Sequence, residues 1–538
     1  MKPISGSQEL FRGAMILTAA ALITKILSAI YRVPFQNIVG DIGFYIYQQV
    51  YPFYGILLIL ATQGFPVVIS KLYKEKLALG DQFGAIRLLS ISLYLLTFVA
   101  LLLFCVFFFG AQWIAVIMGD EQLAGLFRVM AFPFLLFPFT SVFRGYFQGA
   151  GNMIPTAISQ VGEQLVRVMT ILILSYLFVR NGYSLYTAGS GAVFGSVTGG
   201  VIGFLILGTL FFRSSNGVLL HTYEFKKLRT DFWPVSKSLL VQGFAVSVSG
   251  MVLILFQLAD ALNLFNLLSA TNLSQEEAKT AKGVFDRGQP LIQLGTVVAT
   301  SIALTVVPAI TGMKDKKVVI ENIRIALKLS MLVGAAAAIG LVSIIEPTNI
   351  MLFKNSEGSL VLGWISLLIL PGSVIITLIG ILQGVNQFLY PAVIVAFGFG
   401  LKFLLNYVLV PIGGTTGAAM ASIIASLAIM IVLIIRVRKT VGERLLSTSF
   451  LLKALLASAV MAGVISIYLR LTELIVVSTL PLRLVATFQA LTAVMIGALV
   501  YLVLVMKTRL LGEKELELLP MGSKLLVFMP KKTGVDKK

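Results

Sequence analysis

A single cysteine, Cys105, and a single histidine, His221, are all that the 538 residues hold of these two types. One thiol excludes a disulfide framework and a thiolate metal cluster. One imidazole leaves little for acid–base or metal chemistry, and His221, beside Lys226 and Lys227, reads as a solvated loop residue. No Asp-x-Asp pair occurs either, which removes the acidic metal motif of a membrane glycosyltransferase. Charge is scarce: 12% of residues are Asp, Glu, Lys or Arg, against roughly 25% in soluble domains. What the chain has instead is 58% hydrophobic residues. At about 20 apolar residues per crossing, this length accommodates as many as 14 spans. The composition therefore predicts an all-α polytopic membrane protein, and the formal charge of +19 becomes a question of where the positives lie.

Hydropathy places 14 apolar segments near 11–34, 43–70, 88–117, 126–148, 155–179, 188–212, 236–262, 289–312, 326–346, 361–384, 390–410, 416–435, 451–471 and 484–506. Lys25 and Arg32 inside the first segment, and the lack of a small-x-small cleavage site, argue against a removable signal. With the N-terminus inside, cytoplasmic segments hold 29 of the 42 Lys and Arg residues and outer segments hold 7. That bias puts both termini in the cytoplasm, with 507–538 as a cytoplasmic tail. No connection exceeds about 30 residues, so no separate catalytic domain is expected and the protein is not read as an enzyme.

An internal repeat gives these spans an order. Residues 83–93 align with 320–330 at an offset of 237, and Ala61-Thr62, Pro66, Gln148-Gly149, Pro155 and Gly162 find counterparts at offsets between 235 and 242. We read this as duplication of a six-helix unit. The expected organisation is an N-terminal lobe (1–235), a C-terminal lobe (236–447) and two appended helices (448–506). Two parallel repeats imply rocking about a site between the lobes. Gly and Pro in the spans, such as Pro133, Pro138 and Pro371, permit kinks, although both residues are common in membrane helices.

Ionisable residues in apolar segments are the best pointers to function, because each costs a few kcal/mol there. Six cations fall within or at the ends of spans: Lys25, Arg32, Arg128, Arg144, Arg167 and Lys402. Thr18, Lys25 and Arg32 recur at i, i+7 and i+14 on one face of the first helix. Gln160, Glu163, Gln164 and Arg167 form a second stripe, in which Glu163 and Arg167 are spaced either for a helical ion pair or for substrate contact. Lys402 shares a face with Asn406. Asp260 with Gln257 reads either as functional or as a boundary pair. Against the six cations stand two clear acids, Glu163 and Asp260, leaving a surplus of positives suited to phosphate or diphosphate.

The run 22–35 (LITKILSAIYRVPF), then 40–48 (GDIGFYIYQ), Tyr51-Pro52 and 64–66 (GFP), resembles the opening of the multidrug/oligosaccharidyl-lipid/polysaccharide (MOP) exporters. The similarity is to the polysaccharide synthase group, with its stage V sporulation protein B and MurJ-type lipid II flippases. Residues 285–290 (FDRGQP) through Val307-Pro308 resemble the family's second-lobe signature. The resemblance implies a flippase of a bacterial cytoplasmic membrane. Such a protein moves a lipid-linked anionic oligosaccharide, an undecaprenyl-diphosphate glycan of the lipid II kind, by alternating access for peptidoglycan or other polysaccharide biosynthesis. It implies membrane lipids as partners, a monomer, no nucleic acid and no cofactor, with coupling to Na⁺, H⁺ or the membrane potential. By position, Lys25, Arg32 and Arg287 match family cations lining the central cavity, while the family's cavity arginine of the second helix falls on the apolar stretch 56–58. Lys25, Arg32, Arg287, Arg167 and Lys402 are thus the expected substrate contacts, with Glu163 and Asp260 supporting or coupling. A cation-coupled multidrug exporter is the main alternative, favoured if Glu163 or Asp260 were the only essential charges. A membrane glycosyl- or acyltransferase is the third.

Overall fold

The computed structural model describes residues 6–214, 225–310, 315–443, 445–475 and 481–512. His221 and most of the expected tail lie outside the described residues, among which there is no strand. The helices are α1 (Gly6–Ile30), α2 (Arg32–Ile59), α3 (Phe65–Ala78), α4 (Gln82–Phe109), α5 (Ala111–Ile117), α6 (Ala124–Gly149), α7 (Ile154–Arg180), α8 (Leu185–Ser214), α9 (Phe225–Gly250) and α10 (Val252–Ser269). They continue as α11 (Gln275–Asp286), α12 (Gly288–Gly295), α13 (Val297–Ile310), α14 (Lys316–Ser343), α15 (Ile345–Phe353), α16 (Ser359–Ser366), α17 (Ile369–Gly384), α18 (Leu389–Val441), α19 (Thr448–Ile475) and α20 (Leu482–Lys507). The all-α expectation holds.

Among the described residues, eleven helical runs are long and apolar enough to cross a membrane. The expected count of fourteen separate spans is not recovered, for two local reasons. Met15–Ala78 (64 residues) and Leu389–Val441 (53 residues) each take in two expected spans. They are bent internally by Gly40 (φ 69°) and Gly414 (φ 55°), in a region of backbone space that only glycine enters at no steric cost. The eighth expected span is divided at Thr296 between α12 and α13.

The chain packs as two compact units, Met1–Val297 with Gln387–Ala421, and Val298–Asn386 with Ser422–Lys538. In the second, Ile325, Leu329 and Leu332 of α14 bury against Phe450, Met461 and Ile465 of α19 and Tyr501 and Val505 of α20. Tyr501 donates to the Leu332 carbonyl (2.9 Å) and Ser330 to that of Ser373 (2.8 Å), so these two hydroxyls are satisfied inside the apolar core.

In the first unit, the seam between α7 and α8 sets the geometry of the charged interior. Gly191, Gly195, Gly199 and Gly203 repeat every fourth residue along one face of α8. A Cβ on Gly195 would lie 2.9 Å from the Arg167 carbonyl, and one on Gly199 would lie 2.7 Å from that of Glu163. The absence of side chains lets the two helix backbones meet, the small-residue packing common between membrane helices. The Arg167 Cβ and the Glu163 carboxylate lie against Gly199 and Gly203, so this seam fixes where both side chains leave α7.

Candidate functional site

Tyr31 is the single residue between α1 and α2, and Arg32 opens α2. Tyr47, Tyr51 and Tyr54 follow at i, i+4 and i+7, one face of α2. Arg167 projects from α7 into this face. Its guanidinium donates to the hydroxyls of Tyr31 and Tyr47, both 3.3 Å, and to Gln164 Oε1 at 3.2 Å. It also lies 4.4 Å from the ring centroid of Tyr54 and 5.6 Å from that of Tyr51. Arg32 covers the same Tyr51 ring at 4.3 Å. Two guanidiniums, one 1% and one 0% exposed, thus share one aromatic ring.

Neither has a carboxylate partner among the described residues. Arg32 Nε and Nη1, Arg167 Nε and Gln164 Nε2 are buried donors with no hydrogen-bond acceptor. Cation–π contact supplies each guanidinium with about 0.5–2 kcal/mol, well short of the several kcal/mol needed to take an ion out of water. What completes such a site is an anion presenting several oxygens.

The other buried cations are already matched. Arg144 of α6 meets Glu163 at 2.7 Å. It also donates to the Ala61 carbonyl at 3.0 Å. That carbonyl is available because the turn Leu60–Gly64 is a π-helix, in which the Phe65 N–H bonds Leu60 rather than Ala61. The Glu163–Arg167 pair that the i, i+4 spacing permits is therefore not made. Glu163 turns to Arg144, and Arg167 turns to the tyrosines. Arg287, between α11 and α12, grips Asp41 with two bonds, 2.8 Å from Nε and 2.6 Å from Nη2. The contact is set by Gly283, where a Cβ would strike the Asp41 carbonyl at 2.1 Å. Lys402 of α18 lies 2.8 Å from Asp260 of α10. Asp260 is buried and held by Lys402 and Asn406, so it is not a boundary pair with Gln257. Lys25 is half-buried on α1, with its carbonyl accepting from Gln293 at 3.3 Å, and Arg128 is exposed.

The structure thus brings together Arg32 and Arg167, and sets Arg287, Lys402 and Glu163 in three separate ion pairs. The count of two interior acids also falls short. Asp41, Asp286 and Asp120 are further partners, the last two pairing Lys282 (2.8 Å) and Lys279 (3.1 Å), cations that sequence position alone assigned to an outer loop. Sequence reasoning missed the four tyrosines as well. Their helical spacing was visible, but an aromatic stripe in so apolar a chain looks like ordinary core.

Residues 10–314 match the family described as polysaccharide biosynthesis protein. The Bacillus subtilis membrane protein YabM is 42% identical over 527 residues, 97% of this chain and 96% of its own length. The lipid II flippase MurJ of the same organism is 24% identical over 528 residues, covering 92% of this chain and 95% of its own. Among solved structures, an inward closed lipid II flippase MurJ superposes with a TM-score of 0.68 at 17% identity, over 91% of this chain and 98% of that one. An inward-facing MATE multidrug transporter of the MOP superfamily gives 0.63 at 16%, over 80% and 98%. The chain therefore has the MurJ/MATE fold.

Proposed function

This chain belongs to the polysaccharide biosynthesis protein family, and from that premise we propose that it is a membrane flippase for a lipid-linked oligosaccharide, working by alternating access rather than as an enzyme. The observation that carries the reading is the pair of buried guanidiniums, Arg32 and Arg167, which face one tyrosine ring without a carboxylate between them. A diphosphate linker supplies the missing charge, and its oxygens suit the unused donors on both side chains. Lys25, half-buried on α1, adds a third cation along the approach. The tyrosine hydroxyls and rings offer hydrogen bonds and apolar faces to the first sugar of the glycan. Arg287 and Lys402 hold carboxylates of the fold, so Arg287 reaches substrate only when it parts from Asp41.

The test is reconstitution of the chain, Arg32→Ala and Arg167→Ala in liposomes carrying fluorescent lipid II, with a cationic drug dye in parallel. We expect translocation of the lipid by the native chain and loss of it in both variants. Each lost guanidinium removes charge-assisted bonds worth about 1.5–3 kcal/mol, a ten- to hundredfold weakening of binding. Translocation of the dye alone would overturn the reading in favour of a drug exporter.

A further inference from the structure

One more buried polar cluster in the first unit plays no part in that reading. Asp260 and Asn263 stand one turn apart on α10, and Lys402 and Asn406 one turn apart on α18. Lys402 Nζ is 2.8 Å from Asp260 Oδ1. Asn406 Nδ2 donates to the same carboxylate oxygen (3.1 Å) and to Asn263 Oδ1 (2.8 Å). Asn263 in turn donates to the Phe403 carbonyl at 3.0 Å, which fixes its Oδ1 as the acceptor. All four residues are at most 2% exposed, and Asn406 Oδ1 is buried with no partner.

The Asp260 carboxylate and the Asn263 amide oxygen both face the Asn406 amide, and a half-turn of that amide brings its unpartnered Oδ1 beside them, giving a hard-oxygen set of the sort that coordinates metal cations of the alkali and alkaline-earth groups. With one carboxylate, the set balances a single positive charge. Here that charge is the ammonium of Lys402. The other interior carboxylates, the half-buried Asp41 and the buried Asp120, Glu163 and Asp286, each have a fixed Lys or Arg of their own as well.

We propose that Lys402 is a tethered counter-ion occupying a monovalent-cation site, so that the native chain takes up no sodium at Asp260. Without the ammonium, the carboxylate stays buried and unbalanced, and the vacated nest takes a small alkali cation in its place. This inference concerns ion occupancy and does not depend on which substrate is carried.

The experiment is thermal unfolding of the full chain in detergent, in NaCl, LiCl and choline chloride at matched ionic strength. The proteins are the native chain, Lys402→Ala, Lys402→Ser and the double variant Lys402→Ala/Asp260→Asn. We expect the native Tm to be the same in sodium and in choline. Both single variants should gain about 2–4 °C in NaCl over choline chloride, and the double variant should lose that response. A native Tm that rises in sodium would overturn the proposal. So would single variants indifferent to sodium, since Asp260 would then be balanced by a proton, or single variants that cannot be recovered folded in NaCl.

Discussion

A buried guanidinium bonded to a carboxylate and one held by tyrosines and an amide, with no carboxylate, respond differently to removal. Arg144→Ala leaves Glu163 buried beside the bare Ala61 carbonyl, and stranding one member of a buried pair costs about 3–5 kcal/mol. Arg167→Ala strands no carboxylate and removes an unbalanced charge along with its contacts to Tyr31, Tyr47 and Tyr54. We therefore expect Arg144→Ala to melt clearly below the native chain and Arg167→Ala to stay near it, while Arg167→Ala loses binding of the lipid-linked substrate. Melting curves together with a lipid II binding assay check this; equal destabilisation by the two would contradict the pairing. The cations themselves were legible, since a Lys or Arg inside an apolar run stands out. Their partners were not. Asp41 and Arg287 are 246 positions apart, and Arg144 reaches Glu163 from another helix, so only the fold decides which acid meets which base. Even the local rule failed at Glu163 and Arg167, because the π-turn at Leu60–Gly64 gave Arg144 a second acceptor beside Glu163.

At the level of elements, the α7–α8 seam makes a sharper demand than any single hydrophobic contact. Gly199→Leu places a side chain where even a Cβ meets the Glu163 carbonyl at 2.7 Å, and backbone does not swing aside as a side chain would. The expected cost is about 1–3 kcal/mol of overpacking, and displacing α7 shifts Arg167 away from its tyrosines. A lower Tm accompanied by weaker lipid binding is the expected result. Gly463, in α19, has open space for at least 4 Å around the position a methyl group would take, so Gly463→Ala should instead raise stability by about 0.5–1 kcal/mol through helix propensity. Thermal melts of the two variants, moving in opposite directions, check the contrast. Most of the spans were legible as apolar runs of the right length, α4, α6, α7, α8 and α20 among them. The breaks were harder to read: Gly40, Gly414 and Thr296 bend or divide helices within apolar sequence, and hydropathy does not register a change in φ.

For the whole molecule, composition was enough to set the class, since a chain with 58% hydrophobic and 12% charged residues has too little polar surface to cover itself in water. The sidedness of the chain rests on a different physical quantity, the uneven retention of Lys and Arg during insertion, which acts over short loops near span ends. All the connections here are short enough for that rule, and the 29 to 7 division of Lys and Arg holds whether or not two neighbouring spans form one bent helix. A bend within a run changes the number of separate helices without changing the number of crossings. We therefore expect reporters fused after Lys439 and at the C-terminus to read as cytoplasmic and one inserted near Glu277 to read as external. The Glu277 position is a demanding one, because Ser274 and Glu277 form a capping box at the start of α11, and Lys279 and Lys282 just beyond it would carry positive charge on the side expected to hold little of it. Both lysines are paired, with Asp120 and Asp286, so their charges count for less than those of free lysines in the expected orientation. If the pairing matters for insertion, Asp120→Asn with Asp286→Asn should increase the fraction of chains whose Glu277 reporter reads as cytoplasmic, while the native chain reads as external. A cytoplasmic Glu277 in the native chain would overturn the orientation.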